Sequence, residues 1–373
     1  MADQKPGSKW TKELIDFHQR LDEVNLGPLW ASVFSTPQPE STAIPYMWKK
    51  ELILEYLEES KHLLQVGTGS IDRRALYLIN PGMKDMKPHG WGGATQTLYA
   101  AVQAINPGEI ARAHRHTTSA ARFIMEGHGA SGIVNGVKYK FEPGDYLITP
   151  EWVYHDHINE SDETVLWMDF LDIPFVKALS ATFFEFHSET QQPIIAPDDY
   201  TTKLYQGGVV RPLHDRKPSI APLGRYKWDL TKASIDGMSE FSPDVYDGYA
   251  VEYVNPSNGK DANGRMGARM QKLPPRFKGK AHRHVHSCVY YVHKGMGYTV
   301  INGMRFDWKA GDIIALPIWA LHEHVNTSDT EEAYLFSIND LPIMEVLNLE
   351  REDYYDQNEG YQAIEAVFDP LLP

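Results

Sequence analysis

The chain has 373 residues, with 36 basic against 50 acidic side chains and a formal charge of -14. That balance argues against a nucleic-acid or anionic-membrane partner, since both need clustered positive charge. A hydrophobic content of 42% with 12% aromatics describes a globular protein, long enough for two cored domains. The single cysteine, Cys288, forms no intrachain disulfide, the start MADQKPGSKW lacks the layout of a secretory signal, and no apolar run reaches bilayer length, so a soluble cytoplasmic protein is expected.

From Trp10 to Val24, Leu14, Phe17 and Leu21 recur at helical spacing and predict an amphipathic helix. A second helix is expected over Met47 to Leu64, with Leu52, Leu54, Tyr56 and Leu57 on its buried side. Two helices bury little by themselves, so they read as a cap or a subunit contact. Beyond Gly67 the pattern changes to short β-rich segments punctuated by glycine and proline. Asn135-Gly136 between apolar runs is a two-residue hairpin signal, and Pro143-Gly144-Asp145 turns the chain into another strand. Many short strands without intervening helices indicate a jelly-roll sandwich or barrel. After Pro174 about seventy residues read as an irregular linker, with an isolated strand at Tyr226 to Leu230. The segment Ile343 to Asp353 reads as a short helix.

The first half is then replayed. Ala113-His114-Arg115-His116 returns as Ala281-His282-Arg283-His284, and Trp152 to His157 returns as Trp319 to His324. Gly127-His128-Gly129, Asn135-Gly136 and Gly144-Asp145 have counterparts in Gly295-Met296-Gly297, Asn302-Gly303 and Gly311-Asp312, at offsets of 167 or 168 residues. Two homologous β-domains therefore lie in one chain. His286, in H-R-H-V-H, has no counterpart in the first copy, where Thr118 stands.

On a strand, His114 and His116 share a face and Arg115 takes the other. Two imidazoles make half a metal site, and a third from a neighbouring strand would complete an open set of neutral nitrogens that suits iron, zinc, copper or nickel better than magnesium or calcium. His155 and His157 both lie on one face of an extended segment, so spacing leaves the third ligand open between them. Arg122 has a role of its own, because a guanidinium beside a metal can grip a carboxylate bidentately; the bland alternative is a surface ion pair.

The order G-x5-H-x-H, G-x-G, N-G, P-G-D, P, H from Gly108 resembles the cupin superfamily, and two copies make a bicupin: all-β, two jelly-roll barrels with an N-terminal helical extension. The glutamate common in cupin sites is missing, with Arg122 standing near its place in the first copy and Tyr290 in the second. H-R-H-T-T-S-A-A-R-F, L-I-T-P-E-W-V-Y-H-D-H and W-M-D-F-L-D-I-P resemble the gentisate 1,2-dioxygenase family, with its salicylate and 1-hydroxy-2-naphthoate relatives. The resemblance implies Fe(II) on His114, His116 and His155. It implies an aromatic acid held near Arg122, Arg73, Gln103 and Tyr99, with His157 and Asp169 beside it for proton chemistry, and ring opening by O2 in a homotetramer. Gentisate giving maleylpyruvate is the substrate expected, with salicylate or 1-hydroxy-2-naphthoate as alternatives.

A manganese decarboxylase bicupin is disfavoured by the missing glutamate. A non-catalytic bicupin is disfavoured because His282, His284 and His322 are also retained and could bind a second metal. Ser337 and Tyr290 replace Asp169 and Arg122 there, so turnover is expected at the first copy. The expected bounds are a helical extension over 1–66, a catalytic cupin domain over 67–187, a linker over 188–247, a second cupin domain over 248–345 and a C-terminal extension over 346–373.

Overall fold

The computed structural model describes residues 10–31, 36–67, 71–84, 92–205 and 223–370. Residues 1–40 form one unit and 41–373 another. In the first, α1 (Lys12–Glu23) starts at Thr11, whose Oγ1 accepts from the Leu14 amide and so satisfies one of the helix's orphan donors. Trp10 and Trp30 close on His18, with Trp30 Nε1 donating to His18 Nε2 at 3.1 Å.

The second unit opens with β1 (Tyr46–Trp48), α2 (Lys50–Leu63) and β2 (Arg74–Tyr77). The strands β3 (Tyr99–Ile105), β4 (Ile110–His116), β5 (Ala120–Glu126), β6 (Ala130–Val134), β7 (Val137–Lys140), β8 (Tyr146–Thr149), β9 (His155–Asn159) and β10 (Val165–Leu171) follow. Next come α3 (Ile173–Ala178), β11 (Phe184–Phe186), α4 (Tyr200–Tyr205), β12 (Arg225–Tyr226) and α5 (Trp228–Gly237). The second copy runs through β13 (Tyr249–Glu252), β14 (Gly267–Leu273), β15 (His282–His284), β16 (Cys288–Lys294), β17 (Met296–Ile301), β18 (Met304–Lys309), β19 (Ile313–Leu316), β20 (His322–Asn326) and β21 (Ala333–Asn339). It closes with α6 (Leu341–Val346), β22 (Glu352–Tyr354) and β23 (Ala366–Val367).

Each copy is two facing antiparallel sheets. In the first the orders are β12-β8-β5-β10-β3-β2 and β11-β4-β9-β6-β7; in the second, β1-β19-β16-β21-β14-β13 and β22-β15-β20-β17-β18-β23, where only the β18–β23 pairing is parallel. This is the paired jelly roll expected, and the Asn135-Gly136 and Asn302-Gly303 turns sit at positive φ as two-residue hairpins demand.

The central strands of the β12-β8-β5-β10-β3-β2 and β1-β19-β16-β21-β14-β13 sheets are buried on both faces. Alternation sends Val102, Phe123, Met168 and Phe170 into a core shared with Tyr291, Phe336 and Ile338 of the other barrel, where the Phe123 and Phe336 rings stack at 4.2 Å. The intervening residues Gln103, Arg122, Trp167 and Asp169 therefore point into the first barrel. The site is built on strands locked from behind by the second domain.

Each barrel also borrows its edge from the segment preceding the other. β1 pairs with β19 and β12 with β8, and each is followed by a helix whose first turn is held by a carboxylate of the host barrel. Asp312 Oδ1 accepts from the Lys50 amide at 3.1 Å and Asp145 Oδ1 from the Trp228 amide at 2.9 Å, so an anion faces each helix N-terminus. Gly144 lies so close to Trp228 that a Cβ would meet its Cγ at 2.7 Å.

Several expectations are corrected. The helix expected from Met47 begins at Lys50, because Met47 belongs to β1, paired with Ile314. Its buried side is Ile53 and Leu57, while Leu52 and Tyr56 are exposed. The stretch read as irregular linker contains α3, α4, α5 and two edge strands, and the strand expected at Tyr226 to Leu230 ends at Tyr226, where α5 takes over. The C-terminal helix stops at Val346, and Glu352 to Tyr354 is a strand because it pairs with β15.

Candidate functional site

β4 and β9 run antiparallel with His114 opposite His155 and Ala111 opposite His157, across a bulge between Ala111 and His114. Period 2 puts His114 and His116 on the inner face, and Arg115 goes outward to Glu185 at 2.7 Å. The register separates the two candidates that spacing left tied. His155 faces His114, the ring centroids of His114, His116 and His155 lie 4.2 to 5.5 Å apart, and one nitrogen of each lies within 4.8 Å of the others. His157 is outside this group, its ring 6.0 Å from His155, against Phe141 and Trp167.

Each clustered imidazole uses Nδ1 on a backbone carbonyl: His114 on Arg112 at 2.8 Å, His116 on Thr118 at 2.7 Å and His155 on Val153 at 3.1 Å. Donation from Nδ1 fixes the tautomer and leaves Nε2 with its lone pair, the arrangement a metal ligand needs. His155 Nε2 is buried without a partner. Burial, reinforced by the Arg73 charge, holds His114 near pKa 2, and burial holds His116 near 4, so both are neutral. Neutral, convergent nitrogens, that of His155 without a partner and that of His114 met by Arg73, fit a late first-row divalent ion.

The cluster opens on a pocket of about 640 Å³ lined by Arg73, Ala75, Tyr99, Gln103, His114, His116, Thr118, Asp169, Lys177, Phe184 and Phe186, among others. Arg73 lies against the His114 ring, its Nη2 3.0 Å from Nδ1 and in contact with Nε2 as well. Tyr99 stacks on Tyr77 at 5.7 Å, its hydroxyl pushed up in pKa by burial. Gln103 is 1% exposed and its Oε1 has no partner.

Arg122 and Asp169 face each other across β5 and β10, with Nε 2.9 Å from Oδ1. Arg122 Nη1 also donates to Thr149 Oγ1 at 2.6 Å, and Trp167 Nε1 donates to Asp169 Oδ2 at 3.0 Å. Arg122 is thus no surface ion pair. The Nε–Oδ1 contact misses hydrogen-bond alignment, so it joins charges without an aligned hydrogen bond. Asp169 reaches the pocket wall, whereas Arg122 and His157 are not among its lining residues. Sequence reading missed β11, which pairs with β4 and lays Phe184 against His114 at 5.3 Å. Its alternating Phe184-Glu185-Phe186 was the available signal.

His282, His284 and His322 form a matching cluster in the second barrel. Tyr290 stands opposite Ser337 there, in the register that Arg122 and Asp169 occupy in the first.

Both β-domains match the cupin domain family, over residues 101–173 and 269–339. A bicupin with a buried three-histidine centre opening on an aromatic-lined pocket defines the class. The chain is 34% identical to gentisate 1,2-dioxygenase 1 of Aquipseudomonas alcaligenes, over 92% of this chain and 96% of that one. It is also 34% identical to 5-aminosalicylate 1,2-dioxygenase of Comamonas sp, over 96% and 94%. Salicylate 1,2-dioxygenase from Pseudoaminobacter salicylatoxidans, solved as its gentisate adduct, superposes with a TM-score of 0.86 at 31% identity, over 95% of this chain and 98% of that one. The chain belongs to this family of ring-cleaving gentisate, salicylate and hydroxynaphthoate 1,2-dioxygenases. Among the described residues no helix is long and apolar enough to cross a membrane.

Proposed function

We propose that the first barrel holds Fe(II) on His114, His116 and His155 and opens gentisate, 2,5-dihydroxybenzoate, with dioxygen to give maleylpyruvate. The bond between the carboxyl- and hydroxyl-bearing carbons breaks, and each of those carbons gains one oxygen atom. When bound, the iron supplies the chelating centre for carboxylate and 2-hydroxyl and the redox chemistry that dioxygen requires.

The chain's own groups do the rest. The Nδ1 bonds to Arg112, Thr118 and Val153 hold the three imidazoles in one tautomer. Arg73 is the guanidinium in the pocket wall that meets the carboxylate, and Arg122 beneath it adds positive charge while fixing Asp169. Asp169 is the carboxylate in the wall that can take a hydroxyl proton, and His157, kept neutral by burial, is a further base set back from the wall. Tyr99, Phe184 and Phe186 give the ring its apolar seat.

The single observation favouring gentisate over salicylate is Gln103, a buried acceptor in the wall with no donor of its own. A 5-hydroxyl supplies that donor, and a substrate lacking it leaves the amide unsatisfied. The test is oxygen uptake by the iron-loaded enzyme with a panel of hydroxybenzoates. Gentisate should exceed salicylate in kcat/KM by tenfold or more, a margin that shrinks in Gln103→Leu. Equal or better turnover of salicylate or 1-hydroxy-2-naphthoate overturns the gentisate assignment, and absence of uptake with all of them favours a non-catalytic bicupin.

A further inference from the structure

The second barrel repeats the metal-ready geometry of the first but changes its surroundings. His282 stands opposite His322 in the β15–β20 register, as His114 stands opposite His155. Ring centroids are 4.3 Å for His282–His322, 4.9 Å for His284–His322 and 5.6 Å for His282–His284, against 4.2, 4.9 and 5.5 Å for the corresponding pairs of the first barrel. His284 Nδ1 is bonded to the His286 carbonyl at 2.7 Å and His322 Nδ1 to the Ala320 carbonyl at 3.0 Å, which again turns Nε2 inward. His322 Nε2 is buried and has no partner. Three histidines packed this closely, two of them tied by one nitrogen to backbone and all buried, are not what a core needs from these positions, since a buried ring nitrogen left unsatisfied costs stability.

The difference lies in charge. Around the first cluster stand Arg73 and Arg122, cations that suit an anionic substrate added to a metal. Around the second, Tyr290 replaces Arg122 and Ser337 replaces Asp169. His286 stands where the first copy has Thr118, its ring parallel to His284 at 3.5 Å and its Nδ1 2.8 Å from Glu350 Oε1. Carboxylate-bound Nδ1 leaves His286 Nε2 bare, and that atom too is buried without a partner. Arg269, the nearby cation, is engaged by Glu252 at 2.8 Å. A dication held by the three histidines would lie beside the His286–Glu350 pair, whose carboxylate offsets part of its charge, where the first site instead presents cations to an anionic ligand.

We propose that the second barrel binds its own divalent transition-metal ion on His282, His284 and His322, beside the His286–Glu350 pair, as a structural centre separate from the catalytic one. Three imidazole nitrogens favour the iron, cobalt, nickel and zinc class over magnesium or calcium. A metal that binds only the folded barrel stabilises it by mass action.

The test is the cobalt(II) content of the chelator-stripped, full-length enzyme after loading and desalting, together with its visible absorption and thermal midpoint. Two cobalt ions per chain are expected in the parent and one in His116→Ala, where the remaining ion should still raise the thermal midpoint. His116→Ala/His284→Ala should retain none. One ion per chain in the parent, or none in His116→Ala, overturns the proposal. The parent and the first-barrel variant decide this even if removing His284 prevents folding. The count is independent of turnover, so failure to consume oxygen with gentisate would strike the proposed function while leaving two ions per chain in place.

Discussion

Arg122 and Asp169 are cross-strand partners sealed inside the first barrel, with Nε 2.9 Å from Oδ1 and side chains 3% and 6% exposed. The arginine serves two groups, the Asp169 carboxylate by charge at Nε and the Thr149 hydroxyl, which accepts from Nη1. Lysine offers one compact charge and cannot serve both. Arg122→Lys should therefore lower kcat/KM for gentisate by about 10- to 100-fold, the worth of one charge-assisted bond of about 1.5 to 3 kcal/mol, with the metal retained. Steady-state oxygen uptake and metal analysis of the same sample check this, and parent-like kinetics would make Arg122 dispensable to the site.

The second barrel also reaches the first site. Arg265 Nη2 donates to the Thr117 carbonyl at 2.6 Å, and its Nε lies 2.6 Å from Oδ2 of Asp172, whose Oδ1 accepts from the Ser119 amide at 2.9 Å. Between these two anchors sits Thr118, whose carbonyl holds His116 Nδ1. Arg265→Met should weaken metal binding about tenfold without abolishing folding, because an orienting contact of this kind is typically worth 10- to 100-fold in metal affinity. Metal titration followed by circular dichroism reads both, and unchanged affinity would show that His116 holds its orientation without the clamp.

Much of this was legible in the sequence because it depends on local period. The H-x-H pair reads as one inner face from alternation alone, and the two-copy architecture reads from the constant offset between Asn135-Gly136 and Asn302-Gly303. What was not legible depends on pairing between distant segments. His155 and His157 are equivalent by period, and only the β4–β9 register distinguishes them. Met47 looked like the start of a helix because its partner Ile314 lies far along the chain. Asp145 and Asp312 read as turn residues, and their second duty at the N-termini of α5 and α2 depends on the exchange of edge strands. Phe184 and Phe186 stand out only by one alternation, Phe184-Glu185-Phe186, because a three-residue edge strand is too short for more.

His293 sits between Phe123 and Trp228 at the junction of the two barrels, and burial lowers its pKa from 6.5 to about 4. The unfolded chain takes up a proton below 6.5 that the folded chain refuses until about 4. The stability conferred by the neutral ring is thus complete above 6.5 and is lost as the pH falls through the window down to 4. His293→Gln should flatten the pH dependence of denaturant midpoints across that window by on the order of 2 kcal/mol. An unchanged slope would place the acid sensitivity elsewhere.

The central claim is that the first barrel inserts both atoms of dioxygen into an aromatic acid. Mass spectrometry of the product formed from gentisate under isotopically heavy dioxygen tests it most directly, since a ring-cleaving dioxygenase adds both labels and a decarboxylating bicupin loses carbon dioxide and adds none. The account predicts a single ring-opened product carrying two heavy oxygens, formed by the parent and absent with His116→Ala. A product without label in its new carboxylate, or labelled product undiminished in His116→Ala, would contradict it.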